Sequence, residues 1–106
     1  MASFDDREKA FENKFKLDEE LKFKATARRN KLLGLWAAEL MGMSAAEAGD
    51  YAKEVVQSDF ERPGDEDVLE KVHGDLQAKG LDTSEHSVRK HMDDLMDAAV
   101  QQIEAG

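Results

Sequence analysis

Apolar residues recur along most of this chain at the three- and four-residue spacing of helices. At 100° per residue, Leu21, Ala25, Leu32, Trp36 and Leu40 share one broad face of a first helix, with Leu33 at its edge. Gly42 suits a C-cap position past Met41. "SAAE" then reads as a capping box, with Ser44 at the N-cap and Glu47 at the third helical position. Behind it Ala48, Tyr51, Ala52, Val55, Val56 and Phe60 form a second stripe, and "RPG" at 62–64 stops that helix and turns the chain.

A third helix is expected from "DEDV", since Asp65, Glu66 and Asp67 place negative charge in the first turn, where the helix dipole favours it. Val68, Leu69, Val72 and Leu76 are its apolar line; Gly80 ends it, and Leu81 behind that glycine fits the apolar contact of a Schellman stop. A fourth follows Thr83 or Ser84 as N-cap and carries Val88, Met92, Leu95, Met96, Ala99 and Ile103. No strand alternation, internal repeat or long low-complexity tract interrupts these patterns. Short connections between helices favour antiparallel neighbours. The fold class expected is all-α, a small four-helix bundle over 18–106.

The opening segment differs. Phe4, Phe11 and Phe15 fall within a stripe about 40° wide, but the next positions on it are Asp18 and Lys22, both charged. Ser3 offers an N-cap, and Asp5 and Asp6 supply acidic first-turn residues. Such a helix spans about four turns, which is marginal in water on its own. Its remaining residues carry balanced charge: Asp5, Asp6, Glu8 and Glu12 against Arg7, Lys9, Lys14 and Lys16. The phenylalanines either close one end of the bundle or bury in a partner. A narrow aromatic line between mixed charges is the pattern of a helix lying in another protein's groove. Residues 1–17 are therefore expected to be a mobile N-terminal arm, disordered or nascent helix when free and helical when docked.

Composition narrows the function. The 106 residues suit one domain, and 37% of them are charged. With no cysteine there is no disulfide framework and no thiolate chemistry. No apolar run approaches the roughly 20 residues a membrane span needs, and the N-terminus lacks the apolar block of a signal peptide, so a cytoplasmic protein is expected. A net charge of −9 argues against nucleic acid as the partner. The charge is uneven: residues 1–43 hold nine lysines and arginines against eight aspartates and glutamates, and residues 44–106 hold six against sixteen.

Catalytic and metal chemistry find no support. His73, His86 and His91 form neither H-E-x-x-H nor an i, i+4 pair, and read as single surface histidines. "GDEDVLE" lacks the ligand ladder and central glycine of a calcium loop. No phosphate-binding glycine loop and no nucleophile–base set is present, so the chain is not expected to be an enzyme. The one basic cluster, Arg28, Arg29 and Lys31 in "ARRNK", either pairs with the acidic second half or contacts an anion such as a nucleotide phosphate. Trp36, among leucines, reads as core.

Three stretches carry a family resemblance: "FDDREKAFENKF", "DEELKFKATARRNKLLGLWAAELMG" and "YAKEVVQSDFERPGDEDVLEKV". Together they resemble the zeta subunit of alphaproteobacterial F-type ATP synthases, in phase over essentially the whole chain. The resemblance implies a four-helix fold with a mobile N-terminal arm, and a regulator that inhibits ATP hydrolysis while sparing synthesis. It implies that the arm enters an interface between alpha and beta subunits near the central gamma stalk and folds there into a helix that blocks rotation. By matching motif the arm residues are Phe4, Asp5, Asp6, Arg7, Glu8, Phe11, Lys14 and Phe15. It also implies peripheral association with the inner membrane through the enzyme, with no insertion into the membrane and a monomer when free. No cofactor is expected, although weak ATP or ADP binding is associated with the family. Two other readings remain: a nucleotide- or anion-sensing helical module using Arg28, Arg29 and Lys31, and a generic cytosolic adaptor.

Overall fold

The computed structural model describes residues 19–61 and 64–104 with their side chains. The backbone described over 2–61 and 64–105 forms four helices: α1 (Ala2–Leu40), α2 (Ala45–Glu61), α3 (Asp65–Ala78) and α4 (Glu85–Ala105). Among the described residues there is no strand. This is the all-α, four-helix architecture that the periodicity predicts. The side chains of the arm expected at 1–17 lie outside the described residues.

Local chemistry sets the helix ends. The Glu47 N–H donates to Ser44 Oγ at 3.2 Å and the Ser44 N–H donates to Glu47 Oε1 at 3.1 Å, which completes the capping box of α2. The Ser44 N–H foremost, then the Ser44 hydroxyl, hold the Glu47 carboxyl below its ordinary pKa. Gly42 and Gly80 adopt φ of 72° and 78°, a left-handed conformation that glycine enters without steric cost. Each closes a Schellman motif. After α1 the Met43 N–H donates to Ala38 O at 3.0 Å and the Gly42 N–H to Glu39 O at 3.1 Å. After α3 the Leu81 N–H donates to Leu76 O at 3.0 Å and the Gly80 N–H to Gln77 O at 2.9 Å. Ser84, rather than Thr83, caps α4: its Oγ accepts from the Ser87 N–H at 3.0 Å.

The α1 helix is the centre of the bundle, with its most extensive packing against α2 and α4, while α3 packs on α2, α4 and α1. The core joins Leu33, Ala37 and Ala38 of α1, Tyr51 and Val55 of α2, Val68, Leu69, Val72 and Leu76 of α3, and Val88 and Met92 of α4. Where α1 and α2 cross, Gly34 faces Ala52; a Cβ on Gly34 would lie 2.7 Å from Ala52 Cα. Only a residue without a side chain lets the two helices meet so closely.

Two expectations about packing need correction. The buried face of α1 is rotated by about 90° from the predicted one. It runs through Ala25, Arg29, Asn30, Leu33, Gly34, Ala37 and Ala38, whereas Leu21, Leu32 and Trp36 are half-buried and Leu40 is exposed. A helix with neighbours on two sides hides a wide arc, and small and polar residues at its middle carry no hydrophobic signal. Phe60, placed on the core stripe of α2, is 59% exposed. It lies in the last turn of α2, beyond the reach of the core, and meets Phe23 of α1 instead.

Candidate functional site

The basic cluster on α1 does not converge on a common point. Arg29 turns inward and is 2% exposed. Its Nε donates to Asn30 Oδ1 at 2.8 Å, and its Nη2 donates to Asp65 Oδ1, also at 2.8 Å. A buried guanidinium needs such a carboxylate, because desolvation without a partner costs several kcal/mol, order of magnitude. The pair fastens the first residue of α3 to the middle of α1. Asn30 Nδ2 is buried and has no hydrogen-bond acceptor among the described residues. Arg28 points the other way, where Nη1 donates to Gln102 Oε1 of α4 at 3.0 Å. Lys31 is exposed beside a groove between α1 and α2. The ion pair of Arg29 with the acidic second half is thus present, and of the three side chains only Arg28 and Lys31 are open to solvent.

Other polar contacts join one helix to another. The Tyr51 hydroxyl donates to Asp75 Oδ2 at 2.8 Å, across α2 and α3. Burial, followed by that bond and the nearby carboxylates, raises the phenol's pKa well above its ordinary value. Lys71 Nζ reaches the same Asp75 oxygen at 3.2 Å and lies 5.5 Å from the centroid of the Tyr51 ring. Arg89 of α4 pairs with Glu66 of α3 at 2.6 Å, an exposed contact. The histidines differ from one another. His86 is exposed and His73 half-buried. His91 corrects the surface reading: its ring stacks on Trp36 with centroids 4.0 Å apart and its Nδ1 lies 2.9 Å from Ser87 O. Trp36 is packed against the core, as expected. Among the described residues no cluster of three His, Cys, Asp or Glu is placed to hold a metal. No helix of the described residues is long and apolar enough to cross a membrane.

The surface feature that sequence reasoning missed is aromatic. Phe23 and Phe60 are 62% and 59% exposed, with ring centroids 5.8 Å apart and ring planes tilted by 52°. Three adjoining openings meet around Val56 beside them, the largest of about 780 Å³. The signal was present in "LKFKA", where Phe23 stands between two lysines and off the apolar stripe of α1. The side chains of the arm residues Phe4, Asp5, Asp6, Arg7, Glu8, Phe11, Lys14 and Phe15 lie outside the described residues.

Comparison with known proteins agrees with the helical architecture and the motifs. No curated protein matches the chain. A solved structure described only as a solution NMR structure of a protein is 50% identical, superposes with a TM-score of 0.71, and covers 80% of this chain and 96% of its own. The family model of ATPase inhibitor subunit zeta matches residues 1–102, almost the whole sequence. The chain belongs to the ATPase inhibitor subunit zeta family.

Proposed function

We propose that this protein inhibits ATP hydrolysis by an F-type ATP synthase by inserting residues 1–17 as a helix between an alpha and a beta subunit, close to the gamma stalk. The family is that of an ATPase inhibitor subunit, so the regulatory role follows from membership. The observation that carries the finer reading is the line Phe4, Phe11, Phe15, set among four acidic and four basic side chains ahead of a bundle whose core draws on all four helices. Each phenylalanine buried in a partner's cleft contributes on the order of 1.5–3 kcal/mol. Asp5, Asp6, Arg7, Glu8 and Lys14 then fix register through charge-assisted contacts. Ordering the arm costs roughly 1–2 kcal/mol per residue of backbone, so binding and helix formation are coupled. A helix wedged between a catalytic interface and the rotor obstructs rotation in the hydrolytic direction. No catalytic step is assigned to this chain, and no cofactor is needed for the obstruction.

The test adds the full chain to the purified cognate enzyme and measures ATP hydrolysis and proton-driven ATP synthesis in parallel. Hydrolysis falls while synthesis continues. Unchanged hydrolysis at saturating protein refutes the proposal, and equal loss of both activities refutes its one-way character.

A further inference from the structure

We infer that the open groove at Phe23 and Phe60 is a second docking surface, which seats an amphipathic helix of the ATPase with carboxylates toward one of its ends. This inference rests on the inhibitor reading and deepens it, since it gives the bundle a contact of its own.

Three observations support it. Phe23 and Phe60 form a tilted aromatic pair that is more than half exposed on both rings, and together with Ala27 and Val56 they line adjoining openings of about 250, 440 and 780 Å³. Exposed paired aromatics beside a concavity supply the anchoring area that binding surfaces use.

The charges around the groove also lean toward cations. Glu19, Asp59 and Glu61 line it with Phe60. Arg28, Lys31 and Lys53 lie further along α1 and α2 from the aromatic pair, and Lys24, Arg28 and Lys31 border the opening that reaches Ile103 of α4. With Lys22 counted, the rim holds five cations against three carboxylates, in a chain whose net charge is −9. An occupant with an apolar line and acidic residues over Lys31 and Lys53 complements both the floor and the rim.

The third observation is continuity. Glu19 and Lys22 of the groove follow the arm directly in sequence. Phe23 comes eight residues after Phe15, about 12 Å along a helix axis when the arm is helical in the complex. A surface that receives Phe15 is within reach of Phe23. Two linked contacts raise avidity through effective concentration, so a marginal arm gains occupancy from the groove.

The experiment titrates the purified ATPase with three full-length proteins: the unmodified chain, F23S/F60S, and F4S/F11S/F15S. Inhibition of hydrolysis and co-sedimentation with the enzyme are both read. The groove variant keeps full inhibition at saturation but needs at least about tenfold more protein for half its effect. The arm variant binds the enzyme in co-sedimentation without inhibiting. If the arm variant inhibits like the unmodified chain, the arm reading fails while the groove is still judged by F23S/F60S. An unchanged half-inhibitory concentration for F23S/F60S overturns the groove. A lowered one also overturns it, because the groove then holds this chain's own arm. A dimer of the unmodified chain that F23S/F60S converts to monomer assigns the groove to a second copy and overturns it too. Circular dichroism verifies the fold of each variant. K31E/K53E provides an independent check: it weakens inhibition about tenfold at low salt, with the difference shrinking as ionic strength rises, and no difference from the unmodified chain overturns the charge assignment.

Discussion

The α1 and α2 helices run antiparallel, and their two ends differ sharply. At one end Gly34 sits against Ala52 with no room for a Cβ, and Leu33, Ala37, Ala38 and Val55 around it are fully buried. At the other end Phe23 and Phe60 stand more than half exposed over an open groove. Small residues let the two helices approach closely at the first, and large rings stay without cover at the second. The closed end belongs to the core, and the open end is the surface inferred above to dock a partner.

Substitutions at the two ends sharpen that contrast. The largest effect is expected at the closed end: Gly34→Ala forces a Cβ against the Ala52 backbone and lowers unfolding free energy by about 1–3 kcal/mol, read from the urea midpoint. An unchanged midpoint removes the close crossing from the account. Next comes Asp65→Ala, which leaves the Arg29 guanidinium buried without its carboxylate. Because Asp65 is itself 64% exposed, water can partly compensate, and a loss of about 1–2 kcal/mol is expected.

Tyr51→Phe removes the bond to Asp75 and costs about 0.5–1.5 kcal/mol. The phenol also makes a prediction about pH. Its folded pKa is raised above the unfolded value of about 10, so the contribution is complete below pH 10 and fades as pH climbs above it. Absorbance at 295 nm should show no phenolate near pH 10.5 in the native protein; a titration midpoint near 10 contradicts the buried bond. The smallest effect belongs to the open end. F23S/F60S should leave the urea midpoint within about 0.5 kcal/mol of the unmodified chain, since both rings are already largely in water.

The sequence made the helix boundaries legible where the chemistry is local. Ser44 with Glu47, and Gly80 with Leu81, act over three to five residues, and both motifs are present as read. The α3 stripe Val68, Leu69, Val72, Leu76 is also buried as read, because one apolar line faces one core. The α1 face was not legible. Its buried arc is carried by Gly34, alanines and the Arg29–Asn30 pair, whose burial depends on Asp65, 36 residues away. The Trp36–His91 stack and the Phe23–Phe60 pair are likewise contacts between helices. Period alone assigns Phe60 to a stripe without showing where the neighbouring helix stops.

The central claim is that the phenylalanines of residues 1–17 find their burial in the ATPase and contribute little to the bundle. Deleting residues 2–16 and recording both the thermal melt and inhibition of hydrolysis tests it most directly. The account predicts a melting temperature within about 2 °C of the full chain, given that 1 kcal/mol corresponds to about 4–8 °C in a domain of this size, together with complete loss of inhibition. A fall of about 10 °C or more, or inhibition that survives the deletion, would contradict it.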